Sequence, residues 1–442
     1  MSEESKLKKV LGLSDVISVA FGQTIGAGVI VLTGVAIGMT GTGIVPGYFI
    51  AALAVLVGTL PIAVLGSTIP ATGGLYQYAS RLWSPKTGFF YLLLIIPAKL
   101  TLAMYALTFA QYFKSIVPDV SGQWVAAGVL TLMYVVNLLG VKVAANILKL
   151  MLACLVIALG LFIWYGVPEV HLEVFTADNF FSHGMLAFLS ATALLSFATG
   201  GSVFISELGG EMKNPKRDIP LAIVTATLCV GVLYSAIGFV ASGVLPIPQV
   251  AGKPLSEVAK VILPHNLFLF FLIGGALLSV GKMLLLAFTW GPKALLMGSV
   301  HGWLPKGLGK VSSRFGTPYV LQTIMYVIGM IPILTGASIA TIAKLATSVS
   351  TLGFCFAITG SYFLPDKFPE LFKTAVFSFS PKGFKRLVVV SSIIMIGQAV
   401  LLIAGLQVEI IMSVVVYFAL AGAWVWKTPN REIDFEDTAY KA

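Results

Sequence analysis

Phe21-Gly22-Gln23-Thr24-Ile25-Gly26-Ala27-Gly28-Val29 places three glycines within seven residues, in the middle of an apolar run that covers approximately residues 14 to 40. A membrane helix satisfies its own backbone and avoids such an interruption, because hydrocarbon offers no other partner to a freed N–H or carbonyl. A second cluster, Phe197-Ala198-Thr199-Gly200-Gly201-Ser202-Val203, interrupts the run from 183 to 208. The two stand five apolar spans apart. With an odd offset, corresponding helices cross the bilayer in opposite directions, which is the layout of an inverted repeat with one discontinuous helix in each half at the midplane.

Such a pair is specific about ligands. A helix that resumes near Gly28 presents free N–H groups and a positive dipole end, suited to a carboxylate. One that stops near Ala198 presents free carbonyls, suited to an ammonium. Together they fit an α-amino acid. The competing reading is close helix packing through small residues, as in GxxxG contacts, and two clusters at corresponding positions weigh against it. Gly41, Gly43, Gly73 and Gly74 lie at span ends, where turns or packing account for them.

Outside these stretches the composition sets the environment. Of 442 residues, 58% are hydrophobic and only 10% charged, against about 25% charged in a soluble domain. Hydropathy predicts about twelve membrane helices, at approximately 14–40, 43–69, 87–113, 122–140, 143–166, 183–208, 219–245, 267–299, 318–335, 338–363, 386–405 and 408–426. Most of these approach the roughly twenty residues needed to cross about 30 Å of hydrocarbon. The first run is too long for a cleavable signal peptide. Twenty-one of the 28 basic residues fall in segments on one side, Lys114, Lys253 and Lys260 fall on the other, and four lie within spans. By the positive-inside rule both termini are expected in the cytoplasm, with the chain in the plasma membrane. The net charge of +10 is then mostly a topology signal and needs no nucleic acid to explain it.

Cys154, Cys229 and Cys355 lie in apolar runs without CxxC spacing, and His171, His183, His265 and His301 are scattered. HExxH, GxSxG and GxxxxGK[ST] sequences are absent, so neither a metal site, a cofactor, a hydrolase nor an ATP-driven pump is expected. The stretches 167–182 and 246–266 are too short for a separate domain. A single membrane domain over 1–442 is predicted, with repeats at 14–166 and 183–363 and two additional helices at 386–426.

Four stretches resemble one family of transporters. They are Ile25-Gly26-Ala27-Gly28-Val29, similar to a GSGI motif in helix one; Ile69-Pro70-Ala71-Thr72-Gly73-Gly74-Leu75-Tyr76, similar to IPxxGGxY; Glu211-Met212-Lys213-Asn214-Pro215-Lys216-Arg217-Asp218-Ile219-Pro220, similar to E-x-KNPxRxIP; and Gly302-Trp303-Leu304-Pro305 through Phe315-Gly316-Thr317-Pro318. The chain resembles the amino acid-polyamine-organocation (APC) superfamily. That resemblance implies an all-α, leucine-transporter-like fold of five plus five inverted helices and two more. It implies Thr24, Gly26, Ala27 and Gly28 on the substrate carboxylate, and Ala198, Thr199, Gly200 and Gly201 on the amine. Two departures stand out. Ser202 occurs where many relatives carry a gating aromatic, leaving room for a larger substrate or moving the gate elsewhere, and Val64 occurs where many carry a glutamate.

Four lysines lie within spans: Lys99, Lys149, Lys282 and Lys344, with Glu207 the acid comparably placed. Each costs at least about 2.5 to 3.5 kcal/mol to insert, so each is a functional candidate unless it snorkels. Lys344 and Glu207 stand near span ends, where snorkelling and pairing with a loop cation are expected. Lys149, in Asn146-Ile147-Leu148-Lys149-Leu150, resembles a helix-five lysine whose ammonium replaces the second sodium of sodium-coupled relatives and braces helix one against helix eight. A lysine held out of bulk water can also carry a proton. Lys282 is too deep to snorkel and needs a carboxylate substrate, water, or a carbonyl at a helix break. Lys99 follows Pro97, whose ring frees a carbonyl near residue 93.

The function these features predict is secondary active transport of an amino acid or close analogue, by proton symport or exchange. The alternatives are an organic-anion carrier that uses Lys282 or Lys99 as counter-charge, and an amino acid sensor that does not transport.

Overall fold

At the first glycine cluster the chain leaves the helical conformation for two residues. In the computed structural model, which describes residues 9–337, 339–404 and 407–433, α1 (Leu13–Thr24) ends and α2 (Ala27–Thr40) begins around an extended Ile25-Gly26 link. A short 3-10 turn leads into α3 (Ile44–Thr68). The second cluster behaves in the same way. After the four-residue α9 (Ala177–Phe180), α10 (Gly184–Thr199) stops at Gly200 and the chain continues as a 3-10 helix over Gly201–Glu207.

Two further spans are bent rather than continuous. Pro97 divides the run at 87–113 into α5 (Pro85–Ile95), a 3-10 turn (Pro97–Leu100) and α6 (Thr101–Ile116), because proline removes a donor and clashes with the preceding turn. The run at 267–299 comprises α14 (His265–Phe270), a π-helical turn (Phe271–Leu277), α15 (Leu278–Trp290) and, after Gly291-Pro292, α16 (Lys293–Val300). Hydropathy does not flag α4 (Gly74–Leu82), a wholly buried helix wedged between spans. The remaining helices are α7 (Gly122–Leu138), α8 (Val141–Gly166), α11 (Pro215–Gly243), α12 (Ile247–Val250), α13 (Ser256–Ile262), α17 (Tyr319–Thr335), α18 (Ile339–Gly360), α19 (Leu364–Lys367), α20 (Pro369–Lys373), α21 (Pro381–Ala404) and α22 (Val408–Lys427).

Nine helical stretches among the described residues are long and apolar enough to cross a membrane, and α7 and α17 are shorter apolar helices. This is an integral membrane protein with an all-helical fold. The most extensive packing is between α3 and α11, and α1 lies against α8, α11 and the 3-10 helix after Gly200. The side chain of Lys344 lies outside the described residues.

The apolar interior is divided in two. One cluster holds Val16, Val19 and Ala20 of α1 with Ala226, Leu284 and Phe288; the other holds Ile25, Val29 and Ile30 with Ala198, Tyr234 and Phe271. Phe21 packs on both. The first break therefore sits on the seam between two cores, with one half of the broken helix packed in each.

Candidate functional site

The two interruptions meet. A Cβ built on Gly28 would stand 3.0 Å from the Ala198 Cβ, and one on Gly201 would stand 2.2 Å from the Gln23 carbonyl oxygen. At Gly201 the obstacle is backbone, so only glycine lets the chain pass there. At Gly26 a Cβ would meet the terminal methyl of Met283 at 1.9 Å, an obstacle that can rotate away. Gly200 caps α10, and Thr199 and Ala198 are buried in its last turn.

Breaking α1 frees backbone groups, and their partners can be traced. The Tyr234 hydroxyl of α11 accepts from the Gly26 N–H at 3.3 Å and donates to the Thr24 carbonyl at 3.1 Å. The Lys282 ammonium of α15 donates to the carbonyls of Gly22 and Ile25. Thr24 turns its hydroxyl back to the Ala20 carbonyl at 2.8 Å. By position, the first N–H groups of α2, at Ala27 and Gly28, follow the break and have no intact helical turn behind them, and the last carbonyls of α10, at Phe197, Ala198 and Thr199, have no intact helical turn ahead of them.

The structure redistributes the lysines. Lys149 does not reach the break: its ammonium stands 2.5 Å from Asp15 Oδ1 and is about one-third exposed (34%), while Lys142 holds Asp15 Oδ2 at 2.6 Å. Both pin the start of α1. The brace between α1 and α15 that resemblance assigns to Lys149 is made instead by Lys282, wholly buried, through the carbonyls that the break set free. The span containing Lys149 places it within reach of an acid near its own end, so it had a closer partner than the break.

Lys99 and Glu207 also differ from expectation. The carbonyl of Leu93 takes the Tyr417 hydroxyl at 2.5 Å rather than Lys99, and Lys99 lies over the Trp290 ring, 5.2 Å from its centroid. Glu207 pairs with no loop cation among the described residues. It is buried, and its Oε1 accepts from the Leu75 N–H at 3.0 Å. Its backbone carbonyl accepts from the Gly73 N–H at 3.0 Å, so the Ile69 to Tyr76 motif docks α4 onto the end of the 3-10 helix. Gly73 has φ +65°, the left-handed region that makes this sharp entry into α4 a glycine position.

Ser202 faces α11 rather than a ligand space: it is fully buried, with Oγ 2.9 Å from Thr227 Oγ1. The aromatic of this region comes two residues later. Phe204 stacks on Trp290 with centroids 4.1 Å apart, and the Trp290 indole N–H donates to Gln23 Oε1 at 3.2 Å. Together these cover the break toward the face where α1 starts. Toward the other face, Gly252 and Leu255 donate their N–H groups to the carbonyls of Gly34 and Ile30 at 2.8 and 3.0 Å, closing the segment around α12 and α13 over α2.

At the face where α1 starts, the Glu211 motif acts as a clasp. Its carbonyl accepts from the N–H groups of Val10 and Leu11 at 3.0 and 2.9 Å, and its carboxylate pairs with Lys293 at 2.8 Å, both side chains buried. Burial holds the Glu211 carboxyl above the ordinary carboxylate range, against the pull of Lys293. Nearby His301, 2.7 Å from the Tyr76 hydroxyl, is held down to about 4 by burial and, secondarily, by Arg81.

The amino acid permease family matches residues 11–432, nearly the whole described chain. The chain belongs to the amino acid permease family. This permease is 27% identical over 342 residues to the branched-chain amino acid permease BcaP of Bacillus subtilis strain 168, covering 72% of this chain and 73% of the relative. It is 28% identical over 288 residues to the serine/threonine exchanger SteT of the same organism, covering 63% and 64%. A methylthioribose transporter, also from that strain, is 24% identical over 343 residues, covering 72% and 73%.

Sequence reading missed Tyr234, Trp290 and Gln23 as parts of this site. A tyrosine deep in an apolar span was a signal for the first, since its hydroxyl needs a partner in hydrocarbon.

Proposed function

We propose that this permease is a secondary active transporter that carries amino acids or close analogues by alternating access. The observation that carries the reading is the contact between the two breaks at Gly28 and Ala198, with open N–H groups on one side and open carbonyls on the other. The substrate carboxylate is assigned to the N–H groups of Ala27 and Gly28, beside Thr24 and Gly26, and its ammonium to the carbonyls of Ala198 and Thr199 above Gly200 and Gly201. Ser202 serves the packing of this segment on α11. In this reading residues 14–166 and 183–363 are inverted repeats of five helices, 386–426 add two, and both termini are cytoplasmic in the plasma membrane. The names of two of the relatives, a branched-chain amino acid permease and a serine/threonine exchanger, support the substrate class.

Lys282 is the assigned coupling residue. An ammonium held between two backbone carbonyls takes the place of a bound monovalent cation, which favours sodium-independent proton symport or exchange. Lys149 is assigned to anchoring α1 through Asp15. The organic-anion reading loses support because Lys282 is already engaged by carbonyls and Lys99 has Glu207 within electrostatic reach.

Uptake into proteoliposomes separates the readings. Saturable uptake of neutral amino acids, with counter-substrate loading against a pH gradient to distinguish exchange from symport, is the expected result. Inhibition by simple carboxylates but by no amino acid would move the chain to the organic-anion class, and binding without uptake would make it a sensor. A thermal-shift screen is the quickest start, since a ligand at 100 times its Kd stabilises by about 2.7 kcal/mol.

A further inference from the structure

Between the break and the clasp at Glu211 lies a pair of buried opposite charges that do not touch. Lys99, on the 3-10 turn after Pro97, is 5% exposed, and Glu207, at the end of the 3-10 helix after Gly200, is 2% exposed. They lie within electrostatic reach of each other but do not form an ion pair. Glu207 Oε1 is taken by the Leu75 N–H, and Oε2 is buried without a hydrogen-bond partner. The contact shown for the Lys99 ammonium, apart from that reach, is the face of Trp290. Buried charges are ordinarily paired and hydrogen-bonded, because an uncompensated one is costly. A buried carboxylate oxygen without a hydrogen-bond partner, with a buried ammonium resting on a ring face in electrostatic reach of it, marks a place for a ligand with the opposite pair of charges.

The location narrows the ligand. Along α15, Trp290 stands eight residues past Lys282, about 12 Å at 1.5 Å per residue, and three residues before Lys293 of the clasp. Trp290 also holds Gln23 and stacks on Phe204. The pair thus lies beside the Phe204–Trp290 layer, with Lys99 over the Trp290 ring and Glu207 three residues past Phe204.

We propose that Lys99 and Glu207 form a second station for the zwitterionic head of an α-amino acid, its carboxylate on the Lys99 ammonium and its ammonium on the Glu207 carboxylate, between the break and the face where α1 starts. This rests on the amino acid reading above. The station offers side chains where the break offers backbone, and it becomes available when the Phe204–Trp290 layer parts.

The full chain in proteoliposomes tests it, with Lys99→Met, Glu207→Gln and the double variant compared for amino acid counterflow and, in detergent, for amino-acid-induced thermal stabilisation. The expected result is counterflow at least tenfold slower in all three, with stabilisation at the break retained and the double variant no better than either single one. Where a variant fails to fold, Lys99→Arg and Glu207→Asp, which keep each charge but move it, are expected to slow counterflow at least threefold. Unchanged counterflow in any of these variants overturns the proposal. Recovery in the double variant to within twofold of the wild type also overturns it, and identifies a static charge pair bridged by water. Loss of stabilisation in proportion to loss of counterflow overturns it too, because the pair would then belong to the break. If the wild type carries out no amino acid counterflow at all, the functional reading fails together with this one, whereas a competent wild type with unaffected variants removes the second station alone.

Discussion

The two helix breaks look alike in composition but are finished differently. The first is stoppered from outside on its carbonyl side and at the Gly26 N–H, where Tyr234 of α11 and Lys282 of α15 take up the groups freed at Gly22, Thr24, Ile25 and Gly26, so that what its geometry offers a ligand is the start of α2. The second is not. Ser202 ties its 3-10 helix to Thr227 on α11, and no side chain from another helix is seen to bridge the end of α10 as Tyr234 and Lys282 bridge the first break among the described residues. The difference teaches that a broken membrane helix is a backbone account to be closed, and that a ligand is invited where the protein leaves it open.

The strongest way to break the comparison is steric. Gly201→Ala drives a methyl into the Gln23 carbonyl, so amino acid uptake is expected to fall at least a hundredfold. Gly26→Ala meets only the end of Met283, and its smaller loss is expected to be largely rescued by Met283→Ala. Equal and unrescued losses would erase the distinction between a rigid and a yielding contact. Next in size, Lys282→Met strands two carbonyls, each costing about 1 to 3 kcal/mol. Uptake is expected to drop at least tenfold, and sodium ions, able to occupy the vacated position, should raise the thermal stability of this variant but not of the wild type.

Tyr234→Phe removes one hydroxyl that serves both sides of the first break. A loss of about 1 to 3 kcal/mol is expected, read as a lower midpoint in thermal unfolding, with uptake reduced several-fold. Ser202→Ala on the second break should cost only about 1 kcal/mol and leave uptake within threefold, since its hydroxyl faces Thr227 and no ligand. A larger effect of Ser202→Ala than of Tyr234→Phe would reverse the assignment of stoppered and open breaks.

The smallest effect is one of acidity. Because burial holds His301 at about 4, below its ordinary value of 6.5, the unfolded chain binds the extra proton between those values. The neutral ring's contribution to stability is therefore complete above about pH 6.5 and declines as pH falls toward 4. His301→Gln should flatten that acid loss in a thermal-shift series. Any pH dependence of uptake that survives the substitution then belongs to the breaks and not to this rim.

Much of the site was legible because its signals are local. Glycine clusters at 22–28 and 200–201 stand out in apolar runs, since hydrocarbon penalises loose backbone wherever it falls. The motif from Ile69 to Tyr76 could be noticed in the same way, although its role in docking α4 on Glu207 depends on a chain segment more than 130 residues away. The lysines were harder. Depth along a span told that Lys282 needed a partner and offered carbonyls at a break among the choices, while the brace on helix one was expected from Lys149. Asp15 stands beside Lys149, and it is Lys282 that meets the carbonyls of the break.

From sequence alone come the membrane setting, the places where helices stop and start, and the kinds of charge each break would welcome, because these follow from hydropathy and from backbone chemistry within a few residues. Only the tertiary structure decided which groups close the first break, that Lys282 and not Lys149 reaches it, and that Lys99 is buried within electrostatic reach of Glu207, whose Oε2 has no hydrogen-bond partner. Those outcomes depend on contacts between segments 100 to 260 residues apart, where position is set by how whole helices pack and no local pattern encodes it.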